Sequence, residues 1–180
     1  MTLDPRDAEL FYKLWLSLLD YVNREYKVDS QIPEMRGATE IDLQNAKKIA
    51  DYLWEHTSVI DKYLEESSLS DEYKRIVSGW KKCISGIFIL ERHLKKGSVF
   101  ISTEDEKVYM VNGIITSWEE MFYYAPLPVM LKATLIPFRD KIISDGLVIP
   151  YKVCFGKGYS SEFKEIYLAA KKNKTINFSL

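Results

Sequence analysis

The sequence predicts an α+β protein: N-terminal helices, then a small, mostly antiparallel, barrel-like sheet of five or six strands, OB-like or SH3-like, and a C-terminal helix. Three observations carry this. Apolar residues recur at helical spacing through residues 1–82 and at strand spacing through 86–156. The change of period falls between Lys82 and Gly86. The run Leu131–Gly156, LKATLIPFRDKIISDGLVIPYKVCFG, is the densest stretch of strand-formers, and turn signals cut it at Pro137-Phe138-Arg139-Asp140 and Ser144-Asp145-Gly146. The chain reads as one compact unit, 1–180, with a subdivision into a helical part, 1–82, and a β-rich part, 83–180.

Asp4-Pro5 starts the first helix, a capping carboxylate followed by proline where its missing N–H costs nothing. Leu10, Phe11, Leu14, Trp15, Leu18, Leu19, Val22 and Tyr26 form its stripe. Residues 27–38, with Pro33 and Gly37, read as a linker, and Thr39 as the cap of a second helix. That helix has a weak point at His56-Thr57-Ser58, where propensity is poor. Ser70 caps a third helix that carries Tyr73, Ile76, Val77 and Trp80 on its apolar face.

Strands are expected at Ile87–Leu94, Ser98–Ser102 and Lys107–Asn112, the last two joined by the acidic tip Thr103–Glu106. Ser117 caps a short helix expected over Trp118–Tyr124, ended by Pro126 and Pro128. In the following strand Val129, Leu131, Ala133 and Leu135 alternate with the more polar face of Met130, Lys132, Thr134 and Ile136. Arg139-Asp140 turns the chain, Asp145-Gly146 turns or bulges it, and Pro150 marks an edge strand. Ser160 caps the last helix, with Phe163, Ile166, Tyr167 and Ala170 on one face. The core expected from these patterns holds Trp15, Leu18, Trp54, Trp80, Phe88, Leu131 and Leu135.

Composition narrows the function classes. Charged residues are 28% and the net charge is −1, so nucleic acid or an anionic membrane would have to be held by a local patch rather than a global field. Apolar runs are far shorter than the ~20 residues a membrane span needs. The opening residues MTLDPRDAEL lack the pattern of a signal peptide. With only Cys83 and Cys154, far apart, the expected location is the cytoplasm, with reduced thiols.

Motifs for chemistry are sparse. His56 and His93, with two unclustered cysteines, have no metal-ligand spacing, so no metal is expected. There is no GxSxG elbow, and Gly156-Lys157-Gly158 lacks the ending of a phosphate loop, so no cofactor is expected. Two groupings remain. Arg139, Asp140, Lys141 and Asp145 form a candidate polar cluster at the turns of one β unit. Arg92, His93, Lys95 and Lys96 form a candidate basic patch.

The segment Leu135–Val148, LIPFRDKIISDGLV, with Phe155-Gly156 and the helix after it, resembles a stretch in a group of uncharacterised bacterial proteins. Leu53 through Trp80 to Phe100 resembles the same group, so the likeness spans roughly residues 45–172. It implies a shared domain and no substrate.

Three functional readings follow, in order. The first is a non-catalytic interaction or regulatory domain with a protein partner, suggested by the 13% aromatic content and the scarcity of catalytic motifs. The second is a nucleic-acid-binding module using the β-rich half, where three strands, a helix and two strands follow the OB order. The third is a hydrolase with a carboxylate site at Asp140 and Asp145. Whether the chain is an enzyme, and its oligomeric state, stay open at this level.

Overall fold

The computed structural model describes residues 1–30 and 42–180. The chain divides into two compact units, Asp4–Lys82 and Cys83–Leu180, the latter joined by Met1–Leu3. The linker residues after Ser30 and the cap expected at Thr39 lie outside the described residues.

The first unit is helical. Helix α1, Pro5–Tyr26, begins where Asp4 accepts the Arg6 N–H at 3.0 Å, with Pro5 in the first turn. Asp42 caps α2, Leu43–Glu55, by accepting from Gln44 and Asn45. The weak point at His56 ends α2, and α3, Val59–Glu66, restarts the chain beyond it. Ser70 accepts the Tyr73 N–H to cap α4, Asp71–Gly79, and a single 3₁₀ turn, Trp80–Lys82, closes the unit. Phe11, Trp15 and Trp80 meet at ring separations near 6 Å, and all three are buried. Trp54 departs from expectation: it stacks on Trp15 at 5.2 Å but is only half-buried. It stacks on the cluster while staying partly accessible to solvent, as indoles at a core's rim often do.

The second unit is built on a six-stranded mixed sheet: β1 Ile84–Leu94, β2 Gly97–Ser102, β3 Val108–Asn112, β4 Val129–Phe138, β5 Lys141–Ser144 and β6 Ile149–Pro150. β1 starts three residues before the strand expected at Ile87, because Ile84, Ser85 and Gly86 pair with Leu135, Thr134 and Ala133. β1 pairs with both β2 and β4, so five strands close a ring in the order β1-β2-β3-β5-β4. It is not a regular barrel: β3 and β5 run parallel through just two residue pairs, Val111↔Ile142 and Asn112↔Ile143, while the other pairings are antiparallel. The order of three strands, a helix and two strands follows the OB-like expectation. β6 lies at the sheet's edge on β4, where Pro150 leaves one ladder N–H absent.

The alternation of side chains along the strands feeds two apolar clusters. Phe88, Leu90, Phe100, Tyr109, Val111, Leu131, Leu135 and Ile142 face the ring interior, plugged by Trp118 from α5, Trp118–Met121. Ile89, Val99, Ile101, Val108 and Met110 face outward beneath Tyr167 and Ala170 of α6, Lys157–Asn173. Thr134 and Ile136, expected on a more polar face of β4, are both buried. α6 starts at a Gly156 cap, ahead of the expected Ser160, whose hydroxyl instead donates back to the Gly156 carbonyl at 3.2 Å. The C-terminal residues support β3 where β5 is too short to reach: Met110 N–H donates to the Asn177 carbonyl and Asn177 N–H to the Val108 carbonyl.

Candidate functional site

The polar cluster expected at Arg139, Asp140, Lys141 and Asp145 does not assemble. Arg139 and Asp140 form the β4–β5 turn, with Arg139 at φ 54° and both side chains exposed. Lys141 lies 3.9 Å from Asp140, whose side chain is 86% exposed. Asp145 sits at the far end of β5 and is 2% exposed. At ~3.3 Å per strand residue the two carboxylates are on the order of 15 Å apart along the chain, too far for paired acid–base work. Asp145 has a structural role: its carboxylate accepts the Leu147 N–H at 3.0 Å while Gly146 takes φ +83° to leave the strand.

The basic candidates also separate. Antiparallel register puts the Lys95-Lys96 turn beyond the C-terminal end of β1 and the Arg139-Asp140 turn beyond its N-terminal end, at opposite ends of the ring. Arg92 is committed inside the fold: it donates to Glu91, at 2.7 Å from Nη2, and its guanidinium lies 4.2 Å from the centre of the Tyr167 ring. His93 Nδ1 is 2.8 Å from the Ser98 hydroxyl, and burial pushes its imidazole pKa down against the opposing pull of Glu119. Only Lys95 and Lys96 are exposed. The outward face of β1–β3 carries apolar side chains and is covered by α6, so that face holds no aromatic-basic platform for bases.

The helical unit has a hollow of about 290 Å³ lined in part by Lys13, Ser17, Tyr21, Arg24, Tyr63 and Glu66. Tyr21 is buried, with the Glu66 carboxylate among the charges its phenol feels. Burial first, and then the Glu66 carboxylate, push the phenol up to about 12. Lys13 and Arg24 sit beside Asp20 and Glu66, so opposite charges offset one another across this hollow.

The segment between β3 and β4 is built differently. Ser117 accepts the Glu120 N–H at 3.2 Å, and Glu120 accepts the Ser117 N–H at 2.8 Å and its hydroxyl proton at 2.6 Å, a complete capping box. These bonds hold the Glu120 carboxyl below the usual carboxylate range. The box and buried Trp118 pin a helix that ends at Met121, earlier than the expected Tyr124, so Tyr123 and Tyr124 fall in the turn that follows. There they stand 73% and 95% exposed, in edge contact at 5.0 Å. Ile115, Met121 and Leu127 of the same segment are also exposed. Glu119, Glu120 and Tyr123 line a shallow hollow of about 450 Å³ with Met1, Thr2 and Ser117. At the level of sequence this stretch reads as a short helix; the signal it holds is the doubled tyrosine ahead of two prolines, Tyr123-Tyr124-Ala125-Pro126-Leu127-Pro128.

Among the described residues no group of three or more His, Cys, Asp and Glu side chains is placed to hold a metal ion, and no helix is long and apolar enough to cross a membrane. Comparison with protein-family models, curated proteins and solved structures finds no match.

Proposed function

We propose that this chain is a protein-interaction domain whose docking surface is the segment 115–127 on the ring of strands. The observation that carries the reading is the exposure of Tyr123 and Tyr124 on a segment anchored by a capping box and a buried tryptophan. Tyrosines present a large contact area with few torsions to fix, and anchoring beforehand lowers the entropy lost on binding. Exposed aromatic residues of this kind concentrate at the centres of protein interfaces. The nucleic-acid reading ranks second: the Lys95-Lys96 turn lies at the same end of the ring, yet the glutamates beside Tyr123 would repel phosphate. A cytoplasmic location accompanies the proposal, supported by the free thiols of Cys83 and Cys154.

Photo-crosslinking tests it. A photoreactive residue replaces Tyr124 in the full chain, and a second variant carries it at exposed Lys171 on α6. The expected result is a discrete protein conjugate from position 124 that is not formed from position 171. Equal conjugates from both positions, or none from 124, overturn the docking surface.

A further inference from the structure

Resting on that docking surface, we infer that its occupant is a second copy of this chain, paired about a two-fold axis. A two-fold interface uses one patch twice, so the patch must complement itself. Its apolar part is wider than the segment alone. Leu94, at the end of β1 opposite Gly97, is 37% exposed. Met1 is 56% exposed where its carbonyl accepts the Gly113 N–H at 3.0 Å, two residues before Ile115. Interfaces between identical copies are the more apolar class. Both signs of charge stand beside this apolar surface. Asn112 Nδ2 donates to the Lys96 carbonyl at 3.1 Å, tying the Lys95-Lys96 turn to the residue where the chain leaves β3. Glu119 lies in the segment itself, close enough to act on His93, two residues before Lys95. These charges are uncommitted within the chain. Lys47, Lys81, Lys107 and Lys141 each pair with an aspartate, but no ion pair among the described residues uses Lys95, Lys96 or Glu119. A two-fold axis through the patch brings Glu119 of one copy toward Lys95-Lys96 of the other, twice over. A partner of a single sign would meet like charge on one part of the patch. With a net charge of −1, two copies repel only weakly at a distance.

Sedimentation equilibrium of the purified full chain tests this across a range of concentrations. Beside the parent run Tyr123→Ser/Tyr124→Ser, Glu119→Lys, Lys95→Glu/Lys96→Glu, and an equimolar mixture of the last two. The parent is expected to dimerise and the tyrosine variant to stay monomeric. Each charge variant alone should self-associate about tenfold more weakly than the parent, because like charges then face each other twice across the axis. The mixture should recover association, since a more basic patch then meets a more acidic one. A parent chain that stays monomeric at about 100 μM overturns the second copy. If position 124 then crosslinks a different protein in cell extract, the docking surface itself stands. A monomer that gives no conjugate from position 124 overturns both. A dimer indifferent to the tyrosine and charge variants, or a mixture that recovers nothing, also overturns the inference. Glu119→Lys leaves the Ser117–Glu120 cap in place, and matching melting curves exclude loss of fold as the cause of weakened association.

Discussion

Trp118 meets Phe100 edge-on inside the ring of strands, at 4.8 Å between ring centres and 63° between planes. One contact thus ties the only helix between β3 and β4 to the middle of β2, and it fixes where the following loop emerges. Trp118→Ala should cost about 3–5 kcal/mol, because an indole 2% exposed leaves a cavity that neighbouring strands cannot fill. Chemical denaturation measures it; a midpoint unchanged from the parent would show the ring is closed without its plug.

Trp80 and Trp54 give an internal contrast in the helical unit. Trp80 is 0% exposed between Phe11 and Trp15, and Trp80→Ala should again cost about 3–5 kcal/mol. Trp54→Ala, removing a half-buried ring stacked on Trp15, should cost clearly less. Equal losses in thermal unfolding would mean Trp54 is buried as deeply as the sequence pattern implies.

That contrast shows what is legible in a sequence. Period and capping residues place the helices and most strands, since Asp4, Ser70 and Ser117 cap where a side-chain acceptor meets an apolar repeat. Depth of burial is less legible: Trp54 and Trp15 share a helical pattern, but only packing decides which indole stays partly accessible to solvent. The site is hardly legible at all. Asp140 and Asp145 look paired in sequence, yet β5 holds them at its two ends. Arg92, His93, Lys95 and Lys96 look like a patch, yet strand alternation and a Glu91 partner draw Arg92 into the fold. Conversely, Tyr123 and Tyr124 read as helix until the helix stops at Met121.

Tyr21 supplies a pH dependence. Its phenol is raised from 10.0 to about 12 in the folded chain, so the folded state holds a proton the unfolded chain releases between those values. Stability from this group is therefore whole below pH 10 and is lost as pH rises toward 12. Tyr21→Phe should flatten that part of the alkaline unfolding curve and remove the latest-titrating tyrosine from the absorbance titration. A curve for Tyr21→Phe that falls as steeply as the parent's would contradict the assignment.

The capping box gives a check on the loop itself. Ser117→Ala should destabilise by about 1 kcal/mol, the usual cost of losing a cap. Because the Glu120 carboxyl is depressed in the fold, its share of stability is present above the unfolded-chain pKa and is lost as pH falls through the lower folded value. Hydrogen exchange of the Met121 and Phe122 amides, which bond to Ser117 and Trp118, should quicken in Ser117→Ala and in acid. Unchanged exchange in both conditions would show the segment is held by Trp118 alone.

On the proposed reading, Tyr123 and Tyr124 serve binding and not the fold. Photo-crosslinking from Leu127, on the same exposed segment, is compared between the parent chain and Tyr123→Ser/Tyr124→Ser, with melting curves recorded beside it. Melting within about 0.5 kcal/mol of the parent is expected, as for surface positions, together with loss of the conjugate. An undiminished conjugate, or a destabilisation as large as that expected for Trp118→Ala, would contradict it.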